Sequence, residues 1–208
     1  MVLASVLPLA PLEAPASVLS TGSSDLNEVC GGIPRATLTE IVGGPSSGRT
    51  GLLLSLLHQA TLLGECCVLV DAHDAFDPTS ASLAGVQLSR LLWVRCGGNV
   101  ENAMKACDLL IRAGGFGLVM LDLSGTEAST IGRIPLTSWF RLRHGAEQSG
   151  AALVVTGDQV YSKSCARLQL EVRKEQNLWS AKLLLGIRAL IKVRNRQHLR
   201  AAQFCVVR

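Results

Sequence analysis

Apolar positions along the 208-residue chain fall into short continuous runs that alternate with segments of helical spacing. Leu38–Val42 predicts a short strand ending in glycines. Thr50–Leu63 predicts a helix, with Leu53, Leu56, Leu57 and Ala60 at the spacing of one buried face. Cys66–Asp71, Leu91–Arg95, Leu118–Leu123 and Ala151–Thr156 are unbroken β-type runs, the pattern of strands in a covered sheet. Helices are predicted over Val100–Ala113 and around Trp139, Phe140 and Leu142. This alternation gives right-handed crossovers and an α/β fold with a mostly parallel central sheet flanked by helices. Further on the period changes. Arg167–Lys174 alternates apolar with polar residues, Leu190–Arg196 does so less cleanly, and Gln203–Val207 follows. These predict antiparallel edge strands at the C-terminal side of the sheet.

Residues 1–18, with Pro8, Pro11 and Pro15 among Ala, Leu, Val and Ser, read as an arm, flexible or docking on a neighbour, and 19–208 as one core domain. A mean hydropathy of +0.33 raises the question of a membrane. A spanning helix takes about 20 consecutive apolar residues. Here Leu52–Leu63 is broken by Ser55, His58 and Gln59, and Val2–Leu12 by Pro8 and Pro11, which excludes one. The first twenty residues hold no Lys or Arg, so the positive region of a signal peptide is not there. Seven cysteines, two of them adjacent at Cys66-Cys67 in an apolar run, read as reduced thiols in a cytoplasmic protein. No C-x-x-C pair appears, which argues against zinc.

Charge is unevenly spread. Residues 1–140 carry 7 Lys and Arg against 12 Asp and Glu, whereas residues 141–208 carry 13 against 4. The basic segment, with Arg167, Arg173, Lys174, Lys192 and Arg200 among its cations, fits single-stranded DNA or an acidic protein partner. It also fits a merely solvated face. Trp139, Phe140, Tyr161, Trp179 and Phe204 are the aromatic side chains available beside it for stacking, and Trp139 and Phe140 belong to a helix core by pattern.

The densest signal follows the first predicted strand of the core. Gly43-Gly44-Pro45-Ser46-Ser47-Gly48-Arg49-Thr50 has the Walker A spacing between a strand and a helix. Such a loop turns backbone N–H groups and a helix N-terminus toward phosphate. Thr50 supplies a hydroxyl for Mg²⁺, and Asp122, ending a buried strand, supplies the Walker B carboxylate, so the candidate cofactor is ATP with Mg²⁺. Arg49 stands where the motif has lysine; its planar fork is less suited to phosphoryl chemistry than a compact ammonium.

Leu19-Ser20-Thr21-Gly22, Gly31-Gly32-Ile33-Pro34-Arg35, Leu38-Thr39-Glu40-Ile41-Val42 and the loop together resemble the opening of the RecA ATPase core. Val70–Pro78 and Val193-Arg194-Asn195-Arg196 resemble two later RecA segments. Leu91–Cys96, Arg112–Gly117, Ile134-Pro135-Leu136 and Trp139–Arg143 resemble, more narrowly, RecA-like proteins of the ImuA or SulA-like type. That resemblance implies a RecA-like P-loop NTPase core and an accessory role in the SOS response and error-prone translesion synthesis. It implies RecA or translesion polymerase subunits as partners, and self-association. It also implies that Asp77 faces the adenine, and that Arg194 and Arg196 reach a neighbouring subunit's nucleotide.

The departures matter as much. His73 stands at RecA's catalytic glutamate and Ser80 at its stacking tyrosine, and after Thr156-Gly157-Asp158-Gln159 the long Gly-rich DNA loop is missing. A positioned general base contributes typically 10²–10⁴-fold. The expectation is a non-catalytic or weakly active accessory protein; an active DNA-dependent ATPase and a nucleotide-binding switch are the alternatives.

Overall fold

The computed structural model describes residues 18–207 apart from 163, 182 and 196–198. The expected arm falls almost wholly outside these residues. A small antiparallel pair, β1 (Val18–Leu19) with β2 (Ile33–Pro34), brackets helix α1 (Ser24–Cys30), whose first turn is capped by the Ser23 hydroxyl.

The main sheet has eight strands: β3 (Thr37–Val42), β4 (Cys67–Asp71), β5 (Leu91–Arg95), β6 (Leu118–Asp122), β7 (Ala152–Gly157), β8 (Leu168–Ser180), β9 (Leu183–Asn195) and β10 (Leu199–Val207). Their order across the sheet is β10-β9-β8-β3-β7-β6-β4-β5. Strands β3 to β8 are parallel where they pair. The helices are α2 (Arg49–Leu62), α3 (Pro78–Leu83), α4 (Val100–Ala113), α5 (Ala128–Gly132) and α6 (Leu136–Ser149). No described helix is long and apolar enough to cross a membrane.

Because successive strand residues point to opposite faces, the unbroken runs feed two cores. Ile41, Leu69, Met120 and Val154 join Leu53, Leu56, Leu57 and Ala60 of α2 on one face. Leu38, Val70, Leu121 and Val155 join α4 and α6 on the other, with Trp139 almost wholly buried. The predicted mostly parallel α/β architecture is the one present.

Two details differ from the sequence pattern. β8 is not an antiparallel addition: it runs parallel to β3, and only the pairs β8–β9 and β9–β10 are antiparallel. The described residues between β7 and β8 form no helix, and they bury Tyr161 and Cys165 in the second core. β8 and β9 also outrun the alternating stretches, reaching 13 residues each. Register shifts after Lys174 and Leu178 break the period of two that the sequence pattern relies on. Phe140 is 46% exposed and takes no part in the core assigned to it by pattern.

Among the described residues, the β8–β10 half of the sheet packs into a core on one side only. Leu168, Leu170, Ile191 and Val193 face the first core, while Gln169, Glu171, Lys192 and Arg194 share the opposite face and line a cavity there.

Candidate functional site

The glycine-rich turn leads from β3 into α2. Gly48 caps the helix at φ +96°, a left-handed conformation that favours glycine, and a side chain there would press on Ala189 of β9. Ser47 is buried, its N–H donating to the Gly44 carbonyl at 3.2 Å and its hydroxyl accepting from the Arg49 N–H at 3.3 Å. Gly44, Pro45 and Ser46 are exposed.

Arg49 turns inward rather than toward solvent. Its Nη1 donates to the Gly43 carbonyl, to the Gly157 carbonyl at 2.5 Å and to Asp158 Oδ1 at 2.8 Å. Its Nε is buried and has no partner among the described residues. The other carboxylate oxygen of Asp158 accepts the Gly125 N–H at 2.8 Å. Burial raises the Asp158 carboxyl, but the Arg49 hydrogen bond, the Gly125 amide and the Arg49 charge outweigh it and hold it below the ordinary range.

The sheet order creates this contact. β7 lies between β3, which leads into the loop, and β6, which ends at Asp122, so the residue just past β7 falls between both. Gly157 is required there because a Cβ would sit 1.9 Å from the Tyr161 ring, whose hydroxyl accepts the Asp158 N–H at 3.0 Å. Sequence reasoning passed over Asp158; the available signal was a carboxylate just beyond a buried strand.

The other predicted residues are more scattered. Thr50 is exposed, at the second residue of α2. Asp122 is tied to Ser124, accepting its N–H at 2.9 Å and its hydroxyl; burial pushes the carboxyl up despite those bonds and the Arg49 charge. Asp77 is exposed and caps α3, accepting from Thr79 N at 3.1 Å and Ser80 N at 2.9 Å. His73 Nε2 lies 2.8 Å from Thr126 Oγ1, and the nearby Asp71 carboxylate is spent on the N–H groups of His73, Ala75 and Phe76. Arg194 reaches the site region, whereas Arg196 lies outside the described residues.

A cavity of about 580 Å³ opens beside the loop, bounded by Gly43, Gly44 and Asp158 on one side and by Glu171, Lys192 and Arg194 on the other. Arg173 also lines it, bonded to Glu171. Among the described residues no carboxylate pairs with Lys192 or Arg194, and no cluster of acidic, His and Cys side chains is arranged for a metal ion.

Residues 4–130 match the RecA N-terminal domain. The chain belongs to the RecA family. It is 40% identical over 107 residues to the RecA protein of Laribacter hongkongensis, a match covering 50% of this chain and 30% of that protein. It is 39% identical over 106 residues to the RecA protein of Haemophilus ducreyi, covering 50% of this chain and 28% of that one. The match spans less than a third of the length of these relatives.

RecA membership makes ATP with Mg²⁺ the candidate cofactor. The backbone of the loop suits a phosphate, but the side chains as arranged do not. The one loop cation is paired with Asp158 and Asp122 is engaged by Ser124 rather than by Thr50, while the cations of the adjoining cavity, Lys192 and Arg194, belong to β9 and not to the loop.

Proposed function

We propose that this RecA-family chain is a non-catalytic accessory protein of the ImuA type. It serves the DNA-damage (SOS) response and error-prone translesion synthesis by binding RecA or the translesion polymerase subunits. The observation that carries this reading is the inward, ion-paired Arg49, which leaves the loop without a cation free to meet a triphosphate. His73 in place of a catalytic carboxylate supports it, since its nearest polar partner is the Thr126 hydroxyl.

Two surfaces support an associative role. The β8–β9 hairpin carries Trp179, Leu183 and Leu185 exposed near its tip, an apolar group of the kind that marks protein contacts. The uncovered face with Arg173, Lys192 and Arg194 suits the phosphates of single-stranded DNA. β7 ends at Gly157 and β8 begins at Leu168, which leaves a short connection and supports a contact through the sheet face itself.

The test is ATP hydrolysis with and without single-stranded DNA, run beside co-sedimentation with RecA filaments. The expected result is no turnover above background, with co-sedimentation that does not depend on added nucleotide. DNA-stimulated hydrolysis, lost in Asp122→Ala, overturns the reading in favour of an active ATPase.

A further inference from the structure

The loop of a nucleotide-binding protein normally meets its anion from solution. Here an anion is supplied from within. We propose that Asp158 is the resident anion of the phosphate loop: its carboxylate occupies Arg49 and closes the loop to phosphate-bearing ligands. This inference rests on the nucleotide-independent reading above and names the residue responsible for it.

Three observations converge on Asp158. It makes the ion pair to Arg49 at 2.8 Å, with the Arg49 side chain 10% exposed and its own 33% exposed, so the cation is shielded from solvent while the carboxylate is open on its cavity side. Its second oxygen is fixed by the Gly125 amide at 2.8 Å and its own N–H by the Tyr161 hydroxyl at 3.0 Å, so the carboxylate is positioned rather than mobile. It lines the cavity beside Gly43 and Gly44, so its charge stands next to the loop itself, whereas the cations of that cavity, Arg173, Lys192 and Arg194, come from β8 and β9.

The positioning continues one step further. Tyr161 is held by its N–H to Glu40 Oε1 at 2.6 Å, and the same oxygen takes the Ser162 N–H at 2.8 Å. Glu40, Tyr161, Asp158 and Arg49 thus form one chain of contacts from the sheet interior to the loop. Arg49 is meanwhile under-satisfied: its buried Nε has no partner among the described residues, a donor that a phosphate oxygen could take once the Asp158 charge is removed.

The experiment is titration calorimetry of the full chain with inorganic tripolyphosphate and, separately, with Mg-ATP. Wild type should give no saturable heat at millimolar ligand. Asp158→Asn, which keeps the shape and an acceptor for Gly125 but removes the charge, should bind tripolyphosphate at least about tenfold more tightly than wild type. Asp108→Asn, on α4 and away from the loop, should behave as wild type.

If Asp158→Asn does not fold, Asp158→Ser asks the same question, because it also removes the charge and leaves a small hydroxyl beside the Gly125 amide. Tight binding by wild type overturns both this proposal and the nucleotide-independent reading. A folded Asp158→Asn or Asp158→Ser protein that still rejects tripolyphosphate overturns this proposal alone.

Discussion

Tyr161 donates its backbone N–H to the Glu40 carboxylate at 2.6 Å, and this bond fixes the crossover that carries the chain from β7 to β8. Glu40 is fully buried in the middle of β3 and also takes the Ser162 N–H and the Gln169 side chain, so three donors compensate one buried charge. Glu40→Ala leaves those donors without an acceptor. It should cost about 2–6 kcal/mol, at about 1–3 kcal/mol for each of the two buried backbone donors left unpaired. That corresponds to a melting temperature lower by roughly 4–24 °C for a domain of this size. Glu40→Gln keeps Oε1 as acceptor and should lose less than half as much. Thermal unfolding followed by circular dichroism decides; equal losses for both variants would remove the carboxylate from this account.

The Arg49–Asp158 pair should make stability pH-dependent. The folded-state pKa of Asp158 lies below its ordinary value, so its contribution is complete above about pH 4 and is lost as the pH falls through the depressed value. Unfolding temperatures of wild type and Asp158→Asn should therefore differ most near neutral pH and converge in acid. A constant difference across the range would mean that the charge of Asp158 is not what stabilises.

Asp122 should show the opposite sign. Burial raises its carboxyl, so the folded state is penalised once the pH passes above the ordinary carboxylate value. Asp122→Asn should raise the unfolding temperature at neutral pH, with the gain fading toward about pH 4. A loss of stability at neutral pH in Asp122→Asn would show that the ionised carboxylate is needed where it is.

The uncovered sheet face makes a prediction about DNA. If Lys192 and Arg194 contact phosphates, replacing each with Ala should lower affinity for single-stranded oligonucleotides of any sequence. Each should also reduce the slope of log affinity against log salt by about 0.7, the single-strand value per phosphate contact. Fluorescence anisotropy over a range of salt reads both. An unchanged slope would locate binding elsewhere.

Much of this protein was legible in its sequence. Continuous apolar runs such as Leu118–Asp122 mark strands wherever both sheet faces are covered, because no position needs to be polar. The Gly43–Thr50 spacing marks the loop because a tight strand-to-helix turn demands glycine at fixed places, as at Gly48. The narrower family resemblance rests on residues whose role is not local. Tertiary structure alone decided the chemistry of the loop. No spacing rule links Arg49 to Asp158, more than a hundred positions apart; they meet because β7 is inserted between β3 and β6. The same holds for Glu40, whose charge is tolerated in a strand interior only because the crossover brings it three donors. Sequence records which groups are present; what each group does depends on which partner the sheet order delivers to it, because a buried charge is stable only where such a partner exists.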